Sequence, residues 1–190
     1  MIRALTLAAG AALALAGCAG SQVARAPVAT VAAPRAEQLA EALVLADRAE
    51  QRSDAAALSK AALLIDRLGP EAQTDKDAET LSRWRASLPE GTPPLRGRAL
   101  GPGYRSAVLM PGAATELSQT FLGGRSAQIV VRVAEGSALK LMVRDQSERE
   151  VCQAASDPVN CRWLPLYTQR HRIEIVNTGR TLARFYIVFD

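Results

Sequence analysis

One histidine, three cysteines and two tryptophans are the scarce reactive residues of this chain, set among 23 cationic and 19 anionic side chains. His171 has the widest chemical range, because an imidazole can act as a base or a metal ligand near neutral pH. With no second histidine, a histidine-rich metal site is excluded. A Ser-His-Asp arrangement would have to form around His171 with no nucleophile-elbow motif nearby. Arg170 and Arg172 flank it, which places it at the start of a strand, facing solvent or the rim. Zinc held by Cys152, Cys161 and His171 would lack the Cys-x2-Cys or His-x3-His spacing of such sites. Glu148 and Glu150 are spaced like an acid–base pair, yet they fall in a turn or edge strand and read as solvated charges. Gly123-Gly124 stands between two strands, so it makes a hairpin turn with no helix N-terminus to hold a phosphate. Trp84 and Trp163 would serve as sugar platforms if exposed, but each falls at an apolar position and is expected in a core. No catalytic residue, metal site or cofactor is expected, and the chain reads as a non-enzyme.

The N-terminus is more specific. Arg3 precedes an apolar run from Ala4 to Ala16, broken only by Thr6 and Gly10, which is the layout of a secretory leader over residues 1–17. The run is shorter than the roughly 20 apolar residues of a membrane-spanning helix. Leu15-Ala16-Gly17-Cys18 resembles the bacterial lipobox. The resemblance implies cleavage after Gly17, acylation of Cys18 with palmitate-type chains, and a lipoprotein held on a membrane. Each buried methylene of those chains would contribute about 0.8 kcal/mol. Ala19 and Gly20 follow, with no aspartate at the second position. By similarity to sorting in enteric bacteria, that implies the periplasmic face of the outer membrane.

With Cys18 taken by lipid, Cys152 and Cys161 remain. An even remainder in an oxidising compartment reads as a disulfide. Asp157-Pro158 between them is a turn signal, so the two cysteines are expected to face each other across a hairpin.

Residues 18–34 are rich in Ala, Val, Ser, Gln and Pro, lack an amphipathic period and read as a tether with a reach on the order of 20 to 25 Å. From Arg35 the apolar spacing is helical. Leu39, Ala42, Leu43 and Ala46 share one face, Leu58, Ala61, Ile65 and Leu68 another, and Leu81, Trp84 and Leu88 a third. Residues 35–88 therefore form a helical hairpin of two to three helices, capped at Ser53 or Asp54 and near Thr74. Its alanine-leucine face is expected to pack on the rest of the chain, because a small helical pair buries little area alone. The alternative is a partner surface. Residues 89–103, with Pro93-Pro94 and Gly101-Pro102-Gly103, are too rich in breakers for a regular element and mark a linker. The formal net charge of +4 comes without the dense basic stripe of a nucleic-acid binder.

Beyond the linker the period falls to two. Ile129, Val131 and Val133, then Leu139, Leu141 and Val143, then Ile173 and Ile175, then Ala183, Phe185, Ile187 and Phe189 form inward rows. About eight strands are expected, near 104–110, 114–122, 125–134, 137–144, 149–153, 159–165, 170–177 and 181–189. One apolar and one polar face per strand means two sheets packed face to face. The fold class is α+β by segregated domains, helices first and an all-β sandwich domain over residues 104–190, with the domain boundary in the linker.

The runs Phe121 to Gly124, Ile129 to Arg132, Leu139 to Asp145, Val151-Cys152, Cys161 to Trp163, Arg172 to Asn177 and Phe185-Tyr186 together resemble bacterial pre-peptidase C-terminal domains. The resemblance implies a jelly-roll-like sandwich of the kind appended to secreted enzymes or found in envelope proteins. Members often carry acidic residues around the segment matching 137–145 that support calcium binding. Here Ala138 and Lys140 stand in that segment and only Asp145 remains, against the six or more oxygens a calcium ion takes.

One surface feature has binding chemistry. Arg132, Lys140, Arg144, Arg172 and Arg184 fall on outward positions, and if their strands share a sheet they make a basic face for phosphates or carboxylates. An arginine-bearing, solvated sheet is the plainer account. The function expected is a lipid-anchored periplasmic binding or scaffolding protein with an envelope-protein or anionic-glycan partner and no nucleic acid. The alternatives are a peptidoglycan- or glycan-binding module, or an accessory subunit of a secreted or envelope enzyme.

Overall fold

The structure, a computed structural model, describes residues 33–89, 91, 101–136, 138–155 and 157–190. The leader, Cys18 and all of the tether but residues 33 and 34 lie outside the described residues, as do residue 90 and residues 92–100 of the expected linker.

The helical segment forms where its caps allow. Helix α1 (Arg35–Gln51) carries Glu37 in its first turn and Arg48 in its last, each matching the charge of its end of the helix dipole. Helix α2 (Ala55–Leu68) starts where the Asp54 side chain accepts from the Ala57 N–H at 2.9 Å. It stops at Gly69, whose φ of 60° suits the left-handed cap. Strand β1 (Glu71–Ala72) follows. Helix α3 (Asp75–Arg85) opens on a reciprocal cap in which the Asp77 N–H donates to Thr74 Oγ1 at 3.1 Å while the Thr74 hydroxyl donates to Asp77 Oδ2 at 2.6 Å.

Eight further strands build the sandwich: β2 (Gly103–Leu109), β3 (Ala114–Phe121), β4 (Ala127–Glu135), β5 (Leu139–Arg144), β6 (Glu150–Ala154), β7 (Val159–Trp163), β8 (Gln169–Asn177) and β9 (Ala183–Phe189). The first sheet has the order β1-β2-β9-β4-β7 and the second β3-β8-β5-β6. Apart from the parallel β1–β2 pair, every pairing is antiparallel. The chain changes sheet at every connection between the eight long strands except the one from β5 to β6, in the manner of a jelly roll. Between the sheets lies the expected inward set, Ile129, Val131, Leu141, Val143, Ile173, Ile175, Phe185 and Ile187, all essentially inaccessible.

Two features depart from expectation. The first sheet is apolar on both faces: Val130, Ala134, Tyr186 and Val188 point away from the sandwich core and are buried with Leu39, Leu43, Ile65 and Trp84 of the helices. The helices thus form a third layer, and Ala33–Asp190 is one compact unit. Side chains fasten this layer at both ends. Arg48 donates to the carbonyls of Val133 and Ala134, each at 3.0 Å. The buried Asp77 carboxylate receives the Ser106 N–H of β2 at 3.2 Å, and the Tyr104 hydroxyl donates to the Asp77 carbonyl at 2.9 Å. Burial raises the pKa of Tyr104, with the Asp77 charge adding to it. At the crossing of the two segments a Cβ on Gly101 would stand 1.9 Å from the Gly69 carbonyl oxygen, so the site admits only glycine.

The second departure is the disulfide. Cys152 and Cys161 are bonded, with Cα atoms 6.0 Å apart. They do not face each other across a hairpin, because β6 is an edge strand of the second sheet and β7 an edge strand of the first. The connection through Asp157-Pro158 crosses from one sheet to the other, and the disulfide ties the sheets together along that side.

Candidate functional site

The expected basic row is split between the sheets. Arg132 and Arg184 project from the first sheet toward α1, where Arg132 pairs with Glu41. Arg184 reaches the buried Asp47 through Nε at 3.1 Å and Glu135 through Nη2 at 2.9 Å. Those two arginines belong to the joint between helix and sheet. The single basic face fails because the strands bearing these cations belong to two sheets, a partition that outward periodicity does not encode.

Lys140, Arg144 and Arg172 do share the open face of the second sheet. Arg144 stands opposite Arg172 in register, and Lys140 stands opposite Val176. Arg172 is paired with Glu148 and lies 3.9 Å from Glu116. With Glu174 opposite Glu116 in register, this face is a mixed field of charges. Glu148 therefore serves as an ion-pair partner in a turn. Beside it, a cleft of about 320 Å³ is lined by Ser118, Asp145, Gln146, Glu148, Arg170 and Arg172.

His171 is not at the rim. It lies within β8 and is 1% exposed, packed among Phe121 and Trp163 at ring separations of 5.4 and 5.3 Å. Strand alternation explains the correction: with Arg170 and Arg172 pointing out, the residue between them points in. Its Nδ1 lies 3.2 Å from the carbonyl of Gln169. Trp84 is buried beneath the helices, and Trp163 is half-buried against Phe121 at 4.8 Å. Asp145 is a turn residue. Its carboxylate receives the N–H groups of Ser147 (2.8 Å) and Arg149 (3.0 Å) and the Arg149 guanidinium (2.9 Å). Desolvation raises its pKa, but the bonds from Arg149 and Ser147 outweigh it and hold the carboxyl below the usual carboxylate range. Among the described residues, no cluster of three or more His, Cys, Asp or Glu side chains is placed to hold a metal ion.

The concentration of unusual surface lies at one end of the sandwich. Loop 122–126 joins β3 to β4, and loop 164–168 joins β7 to β8. They are locked together: the Gly124 N–H donates to the Pro165 carbonyl at 2.8 Å, and the Gly123 N–H donates to Thr168 Oγ1 at 3.0 Å. A Cβ on Gly123 would come within 2.8 Å of the Tyr167–Thr168 backbone. Out of this rigid pair stand Leu122, Leu164, Leu166 and Tyr167, exposed by 50, 61, 81 and 74%. A cleft of about 150 Å³ runs between Leu164 to Tyr167 and Arg149. A wider one of about 350 Å³ lies beyond Leu122, beside Arg125 and Asp190. The guanidinium groups of Arg125 and Arg170 have no ion pair among the described residues. These exposed tips are absent from the sequence-based site. Pro165 between two leucines, in a segment that must turn before β8, was the available signal.

No protein-family profile matches the chain, and no curated protein matches it in sequence. Among solved structures, the pre-peptidase C-terminal domain of a collagenase from Bacillus anthracis is similar, with a TM-score of 0.42 and 6% identity over 46% of this chain and 87% of that one. A periplasmic inhibitor of g-type lysozyme from Aeromonas hydrophila aligns with a TM-score of 0.38 and 6% identity, over 47% and 84% of the two chains. The cupin domain of Drosophila melanogaster CENP-C gives 0.32 and 10%, over 62% and 100%. These are distant likenesses between β-sandwich folds.

Proposed function

We propose that this chain is a lipid-anchored, non-catalytic binding module of the bacterial cell envelope, held through Cys18 at the periplasmic face of the outer membrane, which meets its partner with the loop end of its sandwich. The observation that carries the reading is the cluster of Leu122, Leu164, Leu166 and Tyr167 on two interlocked loops. Full burial of one such side chain is worth about 1.5 to 3 kcal/mol. A group of them held rigidly in water is the usual mark of an interaction surface. The lipobox resemblance supports the location.

Two variants test it in cells. Cys18→Ala is expected to abolish acylation and move the protein from the membrane fraction to the soluble one, and retention of the variant in membranes would refute the anchor. A photocrosslinking residue at Leu166 is expected to give envelope adducts that one at Met110, exposed at the other end, does not. Equal yields from both positions would refute the loop end as the binding face.

A second reading has its own observation. In the cleft of Ser118, Gln146 and Arg170 the carboxylates of Asp145 and Glu148 are paired with Arg149 and Arg172, which leaves the Arg170 guanidinium, with no ion pair among the described residues, and neutral hydrogen-bonding groups for an acidic glycan. It predicts retention on purified sacculi that Arg170→Glu removes.

A further inference from the structure

The point at which the chain enters the compact unit lies at the same end as the exposed loops. Helix α1 runs alongside β4 in the same direction. Near its start the Glu37 carboxylate accepts from Gln128 Nε2 at 3.1 Å and from Asn160 Nδ2 at 2.8 Å. Near its end Arg48 reaches Val133 and Ala134. Ala33 is therefore at the end where β4 begins, the end that also carries loops 122–126 and 164–168. Fourteen residues lie between Cys18 and Ala33, and the tether expected there from composition has a reach on the order of 20 Å. A bilayer that held Cys18 would lie within that reach of Ala33, on the end of the sandwich that exposes Leu122, Leu164, Leu166 and Tyr167. The exposed apolar side chains of the opposite end, Val108, Met110 and Leu182, stand about 25 to 30 Å farther along the strands.

The residue types select lipid over sugar. Leucine has no ring face on which a sugar stacks and no hydrogen bond to give it, whereas leucines beside a tyrosine suit the boundary between acyl chains and headgroups. Arg125 and Arg170 supply guanidinium groups at the same end that have no ion pair among the described residues, and phosphate is their natural counterpart.

We infer that the loop end docks on an anionic phospholipid surface, with Leu164, Leu166 and Tyr167 entering the headgroup layer, Leu122 at its margin, and Arg125 and Arg170 on lipid phosphates. This rests on the reading of the loop end as the binding face. The contact is weak by itself and becomes persistent because an anchor near Ala33 keeps the bilayer at high effective concentration. Docked in this way, the strands stand steeply on the membrane, leaving the open face of the second sheet and the helical layer directed sideways.

The test seats the chain from residue 19 onward, with a hexahistidine tag in place of Cys18, on vesicles that carry a nickel-chelating lipid in phosphatidylcholine, with or without phosphatidylglycerol. An environment-sensitive fluorophore is attached at Leu166→Cys or, for comparison, at Met110→Cys. Brominated acyl chains are expected to quench the label at 166 at least about twofold more than the label at 110 when phosphatidylglycerol is present, and adding Leu164→Asp and Arg125→Glu is expected to remove the difference. Equal quenching at the two positions, or none at 166, overturns docking. Full quenching at 166 in phosphatidylcholine alone overturns the anionic assignment. The tag seats the chain whether or not Cys18 is acylated in cells. If vesicles fail to quench while crosslinks from 166 in cells persist, the bilayer is the wrong occupant and the binding face stands. If both fail, both readings fall.

Discussion

Asp145 shows how a residue with apparent site chemistry is used structurally. Its carboxylate closes the turn between β5 and β6, with two backbone N–H groups and the Arg149 guanidinium on it. Those bonds outweigh desolvation and lower its pKa, and at Glu50 the Arg83 side chain has the same effect. A carboxylate with a depressed folded-state pKa contributes stability that is complete above its unfolded pKa and is lost as pH falls through the folded one. The urea midpoint is therefore expected to be flat near neutrality and to fall below about pH 4. Asp145→Asn keeps the turn acceptor but not the charge, so its deficit relative to the parent should be largest near neutrality and shrink in acid, as read from urea titrations at several pH values. A deficit independent of pH would show that the charge is not what matters. His171 makes the complementary point about what was legible. The flanking arginines suggested exposure, yet the same period of two that assigned the strands puts the residue between two outward arginines inside. The tips at Leu164 and Leu166 were obscured differently, because a strand extended to 165 absorbs the first leucine and hides that the segment has left the sheet.

At the scale of elements, the strand periods located all eight long strands to within about two residues, because alternation is a local consequence of one face being dry. Strand partners are a different matter. The sheet to which β6 or β7 belongs depends on the path of the connection, and the residues between Cys152 and Cys161 are compatible with a hairpin or a crossover. The crossover changes what the disulfide does: it joins the free edges of both sheets and so resists their separation. Cys152→Ser with Cys161→Ser is expected to lower stability by about 2 to 3 kcal/mol, the loop-closure value for so short a ring, and to leave the far-ultraviolet spectrum unchanged. Denaturant unfolding of oxidised, reduced and variant protein checks this. Equal midpoints in all three would mean that the edges are held by packing alone. Strand β1 could not be read at all, since two residues after Gly69-Pro70 carry no period.

For the whole molecule, the decisive sequence feature was one that reads two ways. Val130, Ala134, Tyr186 and Val188 sit on the outward positions of β4 and β9, where a two-layer sandwich would place polar groups. That double-sided apolar pattern is the mark of a sheet covered on both faces. The cover is the alanine-rich face of α1, whose small side chains bring the helix close to the sheet, with Trp84 of α3 lying against Tyr186 at 6.4 Å between ring centroids. Tyr186 is accordingly buried, and desolvation raises its pKa, with the Asp47 charge adding to the effect. The expected boundary within 89–103 thus falls inside one compact unit, Ala33–Asp190. The segment 101–190 expressed alone exposes this whole face, together with the Ser106 N–H in the middle of β2 and the carbonyls near the end of β4 that Asp77 and Arg48 satisfy. It is expected to partition into the insoluble fraction, or to bind a hydrophobic dye and self-associate on sizing. Residues 33–89 alone should show little helix by circular dichroism, because helices of this length draw most of their stability from the face they bury. A monomeric, dye-silent 101–190 fragment with the parent's near-ultraviolet spectrum would instead make the helical layer an appendage, and a free alanine-leucine face would become its principal interaction surface.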